Sequence, residues 1–141
     1  MVMRVIPLPA PLTEDPGAVR VIADKPSSFP CRRCLRDAEP GETMLLLSYE
    51  PFLGASPYAG PGPIYVHEHD CTPFAGDGLP DQLTRRLLSV RAYDERHMLV
   101  DAEVTEGVEL EGVAQRLLGG EAAYLHVHNA RPGCFAARIE R

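Results

Sequence analysis

A chain of 141 residues, 45% hydrophobic and 24% charged, has the size of one ordinary domain and predicts a single core with a radius of gyration of about 14 Å. Fourteen basic against twenty acidic residues give a net charge of -6, which argues against nucleic acid and against anionic membrane surfaces as partners. No apolar run approaches the ~20 residues that cross a bilayer, and the prolines at 7, 9 and 11 interrupt any secretory h-region, so a cytoplasmic protein whose four cysteines are thiols or metal ligands is expected.

Thirteen of the fourteen prolines lie between residues 7 and 80, which rules out a long helix in the front half. Residues 1–18 read as a proline-rich N-terminal arm, and residues 19–141 as a single domain. Val19 to Ala23 and Thr43 to Tyr49 are short β-rich runs, the second apolar enough for a central strand covered on both faces. Gly54 to Pro63 and Gly76-Asp77-Gly78 are turn chemistry, with a strand from Ile64 to His69 between them. Pro80 to Leu88 predicts an amphipathic helix of about two turns. Ser89 to Tyr93 and Met98 to Thr105 read as strands joined at Asp94-Glu95-Arg96. Glu109 to Leu118 is the strongest helix, with Leu110, Val113, Leu117 and Leu118 on one stripe and Gly119-Gly120 to stop it. Ala122 to Asn129 and Cys134 to Glu140 form a hairpin around Arg131-Pro132-Gly133. The expected fold is α+β, a largely antiparallel mixed sheet with one or two short helices packed on it.

Strand alternation puts Tyr65, His67 and His69 on one face, and Tyr124, His126 and His128 on another. Two imidazoles in His-x-His lie roughly 7 Å apart at the backbone, within reach of one metal ion. The ordinary reading of such histidines is a solvated or hydrogen-bonded side chain. Cys71 has the parity of His67 and His69, and a three-residue hairpin loop would set Ala130 opposite Cys134, bringing that thiol to the side of His128. Cys31-Arg32-Arg33-Cys34 has the spacing of half a zinc site, with Cys71 as a further thiol ligand and the rest to come from separate elements, as the thiol of Cys134 or an imidazole. The same pair also reads as a redox couple or as plain structural thiols, and Arg32, Arg33 and Arg36 favour thiolate. Arg91 and Asp94 stand near a strand end, where they could hold an anionic ligand or fix the turn. Asn129, just before the Pro-Gly turn, could orient a ligand or cap that turn.

Phe29-Pro30-Cys31-Arg32, Pro57-Tyr58 with Gly62-Pro63-Ile64, Arg91-Ala92-Tyr93-Asp94 and His128-Asn129-Ala130-Arg131-Pro132-Gly133-Cys134 together resemble a bacterial family known as domain of unknown function 1203. The resemblance runs from about Val19 to Arg141 and is most specific in its last segment. It implies a bacterial, cytoplasmic protein and carries no activity with it. It also implies that positions 34 and 67 hold other residues in some members.

Two functional expectations follow from the residues. In the first, a small ligand or a metal, with zinc one candidate ion and the cofactor otherwise unknown, binds at a site on the C-terminal hairpin. That site gathers His126, His128, Asn129 and Cys134, with Arg91 and Asp94 nearby. Were this site catalytic, His128 would be the general base and Cys134 or a metal-bound water the nucleophile. In the second, the chain is a non-catalytic protein-interaction domain with structural cysteines and histidines.

Overall fold

The computed structural model describes residues 3–8, 16–76 and 78–141. The strands are β1 (Arg4–Ile6), β2 (Val19–Ile22), β3 (Thr43–Tyr49), β4 (Gly62–His67), β5 (Leu87–Tyr93), β6 (Leu99–Glu106), β7 (Tyr124–Asn129) and β8 (Phe135–Glu140). The helices are α1 (Asp81–Thr84) and α2 (Leu110–Leu118), the latter entered through a 3-10 turn at Gly107–Glu109. The class is α+β, as expected, but the strands divide into two antiparallel sheets. One has the order β1-β8-β7-β5-β6 and the other β2-β3-β4. Part of the proline-rich arm is structural, because Arg4–Ile6 pair with Arg138–Glu140 as an edge strand.

Helix α2 follows its sequence pattern. Leu110, Val113, Ala114, Leu117 and Leu118 are buried while Glu111, Gln115 and Arg116 are exposed. Glu111 in the first turn and Arg116 in the last both suit the helix dipole. The apolar stripe packs on the sheet face made by Leu88, Val90, Leu125, Val127, Ala137 and Ile139, which with it form one core. A second core gathers Met44, Leu45 and Leu47 of β3, Ile64 and Val66 of β4, Cys31, and Phe135 from the larger sheet. Strand β3 is central in its sheet, yet only its Leu45/Leu47 face is covered along its length, buried at Leu45 and Leu47 and half-buried at Thr43 and Tyr49. Its other face grades from buried Met44 to exposed Ser48.

The expected two-turn helix after Pro80 is a single turn. Leu87 and Leu88, assigned to it from their spacing, belong to β5, where Leu88 pairs with Thr105 on one side and Asn129 on the other. Pairing on both flanks outweighs the weak propensity of so short a helix. The segment is locked by Gly107, whose N–H donates to Arg86 O at 2.7 Å.

At the sheet edges, β1 is three residues long, while β6 is exposed along most of its length and carries Asp101, Glu103 and Glu106. Arg116 of α2 pairs with Asp101 at 4.0 Å and also with Glu103.

Two glycines test this packing in opposite directions. A Cβ on Gly107 would lie 2.1 Å from Leu83 O and 2.7 Å from Arg86 O, both backbone atoms that cannot swing aside. Gly107→Ala should therefore destabilise the fold by about 2–3 kcal/mol. Gly112 faces open space on α2, so Gly112→Ala should stabilise by about 0.5–1 kcal/mol through helix propensity alone. Urea unfolding of the two variants checks both signs.

Candidate metal centre

Cys31 and Cys34 sit on a reversal of the chain between Pro30 and Asp37, which form an isolated bridge. Cys31 N–H donates to Arg36 O at 3.0 Å, Leu35 N–H to Cys31 O at 3.1 Å, and Ala38 N–H to Phe29 O at 2.9 Å. Leu35 adopts a left-handed conformation, φ 58°, to close the reversal. The turn docks on β4 through a Cys31–Tyr65 bridge and through Arg32 N–H to Tyr65 O at 2.9 Å. His67 ends β4, and the chain returns past Cys71 to Phe74, whose N–H donates to Arg33 O at 2.9 Å.

These connections converge four soft ligands. The Sγ atoms of Cys31, Cys34 and Cys71 and a ring nitrogen of His67 all lie within 4.8 Å of one another. Zinc–sulfur bonds of about 2.3 Å and zinc–nitrogen bonds of about 2.0 Å at tetrahedral angles require S···S edges of about 3.8 Å and S···N edges of about 3.5 Å. The Cys31–Cys71 sulfurs are 3.7 Å apart, and Cys34 Sγ lies 3.6 Å from His67 Nδ1. The other nitrogen of His67, Nε2, faces Glu42 Oε1 at 3.3 Å, so a carboxylate stands where it fixes the tautomer that leaves Nδ1 free to ligate. The Glu39 backbone N–H and the two imidazoles of His69 and His67 hold the Glu42 carboxyl down at about 2.

All four cysteines are free. A hydrogen bond from the Cys34 thiol, with backbone donors of Cys34, Arg33 and His67, holds the Cys31 thiol below the usual range against the opposing effect of burial, while Cys34 is pushed up. The Arg33 guanidinium donates to the carbonyl of Cys71 and lies 3.6 Å from its sulfur. A positive charge therefore stands beside a cluster whose loaded form, three thiolates on a divalent ion, would carry one negative charge.

Of the metal ligands expected from sequence, Cys31, Cys34 and Cys71 are brought together here. His67, which the sequence paired with His69 as a possible ligand rather than with the cysteines, is the fourth member. The strand stops at His67, but His69 stays beside it, ring centroids 4.7 Å apart, and reaches Glu42 Oε2 at 3.1 Å, so Glu42, His67 and His69 make a second group of possible ligands as the His-x-His spacing led one to expect. The missed signal is the spacing His67-x3-Cys71, a second half-site to complement Cys31-x2-Cys34.

The residues expected to form one site on the C-terminal hairpin are divided between the two faces of the sheet. The hairpin loop has four residues, not three: Asn129 N–H donates to Cys134 O at 2.9 Å, with Gly133 at φ 82° closing the turn. This one-residue change of register places Cys134 opposite Asn129, on the face away from His128. Asn129 Nδ2 donates to Cys134 Sγ at 3.4 Å. His128 Nδ1–H donates to Gly133 O at 2.9 Å, leaving Nε2 to accept from Arg91 Nη1 at 3.4 Å. Burial pushes the His128 imidazole down to about 4, and its one ring lone pair faces Arg91. Asp94 is part of neither face: its Oδ1 accepts from the N–H groups of Arg96 at 2.8 Å and Met98 at 3.1 Å and so caps the β5–β6 turn.

His126 is fully buried in an aromatic layer, with ring centroids 4.7 Å from Phe52, 5.1 Å from Tyr124, 5.2 Å from Tyr93 and 5.3 Å from Phe135. Neither ring nitrogen has a hydrogen-bond partner among the described residues. Burial, reinforced by His128, Arg138 and Arg91, lowers its pKa to about 3. The unfolded chain then takes up a proton between roughly pH 6.5 and the folded value while the native state does not. Stability contributed by neutral His126 is full above pH 6.5 and falls as the pH drops toward 3. His126→Phe should make the pH dependence of unfolding free energy shallower by about 1.4 kcal/mol per pH unit between pH 6 and 4. Urea titrations of both proteins across that range measure the difference in slope.

No helix among the described residues is long and apolar enough to cross a membrane. No curated protein and no solved structure matches the chain. One family profile does, over residues 28–141, which takes in the Cys31–Cys34 turn, both sheets from β3 onward and the C-terminal hairpin. The chain therefore belongs to the family described as protein of unknown function (DUF1203).

Proposed function

We propose that this chain is a zinc-binding domain in which Cys31, Cys34, His67 and Cys71 hold one structural Zn²⁺. The observation that carries the reading is the convergence of four ligand atoms within 4.8 Å of one another, two of their six edges, 3.7 Å and 3.6 Å, matching those of a tetrahedral zinc site. Three thiols and one imidazole fill the coordination sphere, so the ion has no position for a substrate, and its contribution is to the fold. It would join the Cys31–Cys34 turn, the end of β4 and the irregular chain around Cys71 at one point. A second reading, a small-ligand site on the C-terminal hairpin, is supported by the convergence of Asn129 and Cys134 and is developed below.

Protein purified without a histidine tag should contain one zinc per chain by mass spectrometry. Cys34→Ser and His67→Gln should lose it, while Glu42→Gln should retain it with affinity weakened roughly tenfold to a hundredfold, because only the support of a ligand is removed. Chelation should lower the melting temperature of the parent protein and leave that of Cys34→Ser unchanged. Full alkylation of all three thiols in the freshly isolated native protein, with no metal present, would overturn the reading.

A further inference from the structure

Behind the metal turn lies a cleft of about 550 Å³, within the size range of small-molecule sites. Asn129 and Cys134 line one side of it, and Arg85, Arg86, Arg131 and Ser27 border it elsewhere, with Glu106 the single carboxylate on its wall among the described residues. A fourth guanidinium supports the cleft from the interior. Arg32, 2% exposed, projects from the metal turn and donates from Nη2 to Cys134 Sγ at 3.5 Å and from Nη1 to Gln82 Oε1 at 2.8 Å. Its Nε has no hydrogen-bond partner, and no carboxylate pairs with it among the described residues. Arg85 and Arg86 share Asp37, at 3.2 Å and 2.9 Å, which holds both in place and offsets only one of the two charges.

In a chain of net charge -6, four guanidiniums around one small cavity invert the local sign. The second observation is Asn129. The residue borders the cleft and is 6% exposed, and its buried Oδ1 has no donor among the described residues. A buried amide oxygen without a partner is costly, and a ligand N–H or O–H would satisfy it. We infer that this cleft binds a small organic oxyanion, a carboxylate or a phosphate, that also carries a hydroxyl or amino donor. The arginines take the anion, Asn129 Oδ1 takes the donor, and Cys134 Sγ lies alongside. The inference goes beyond the zinc reading and rests on it only for the placement of Arg32.

Alkylation of Cys134 tests it, because the two standard reagents differ in charge. In either reaction the thiolate sulfur bonds to the reagent methylene and iodide leaves. Ordinary thiolates react faster with neutral iodoacetamide than with anionic iodoacetate. In the native protein the Cys134 peptide, quantified by mass spectrometry, should show the reverse order. The preference should fall about tenfold or more in Arg85→Gln/Arg131→Gln, two changes at the cleft rim that spare the Arg86–Asp37 pair. Melting temperatures near that of the parent would show that the variant is folded. Glycerate protection assigns a carboxylate ligand and glycerol 3-phosphate protection a phosphate. The inference is overturned if the native preference equals that of the urea-unfolded chain, if it survives the double substitution, or if neutral glycerol protects as well as both anions or none of the three protects. The peptides of Cys31, Cys34 and Cys71 report the metal centre separately in the same digest, so either reading can fail without the other.

Discussion

The reversal at Cys31–Cys34 is the constraint on which the rest of the site depends. Leu35 holds a left-handed backbone, which costs a side-chain-bearing residue about 1–2 kcal/mol. The conformation is sustained by the hydrogen bonds that close the turn and by burial of Leu35 itself. The consequence is a division of labour within four consecutive residues. Cys31 and Cys34 point toward His67 and Cys71, while Arg32 points the other way, to Gln82 and Cys134. One local backbone geometry thus fixes two candidate metal ligands and the charge beneath the cleft, joining them through a single peptide segment.

The polar face of the larger sheet is built differently. Tyr93, Tyr124 and His126 stack beside Phe52 and Phe135, with the Arg138 guanidinium 3.9 Å from the Tyr124 ring centre. His97, also in a left-handed conformation, brings its Nδ1 to 2.7 Å from Tyr124 Oη, and its carbonyl accepts from Ser56 Oγ at 2.6 Å. These contacts fasten the loop after β3 onto the larger sheet, so rings take over where the aliphatic core stops. An imidazole serves there as a flat, neutral packing element, a role that its sequence context alone does not distinguish from ligation.

Element types were largely legible in the chain because the relevant signals are local. The stripe of α2, the proline distribution and the apolar run of β3 each depend on neighbours a few residues away. Three features were not legible. The split into two sheets depends on which strands find one another, and short β-rich runs do not encode their partners. The face of Cys134 turned on a single residue of loop length, because strand parity converts a one-residue error into the opposite side. The meeting of His67 with the thiols was missed for a different reason: strand parity paired it with His69, which does stand beside it across Glu42, but parity within one strand does not say that the Cys31–Cys34 turn docks there. The thiols were visible as Cys-x2-Cys plus one, but their convergence with an imidazole from another element is a tertiary fact.

The margins of the larger sheet bear on how this protein meets other chains. β6 presents an edge whose outward side chains include Asp101 and Glu103, and Arg116 pairs with both from the neighbouring helix. β1, at the opposite edge, offers only three residues before Pro7, which has no N–H to donate. A foreign strand arriving at one side would meet carboxylates, and at the other a ladder too short to hold it. Growth of the sheet by templated addition is therefore disfavoured at both ends. At the margins of this sheet, contact with other chains falls instead to side chains rather than to the backbone ladder.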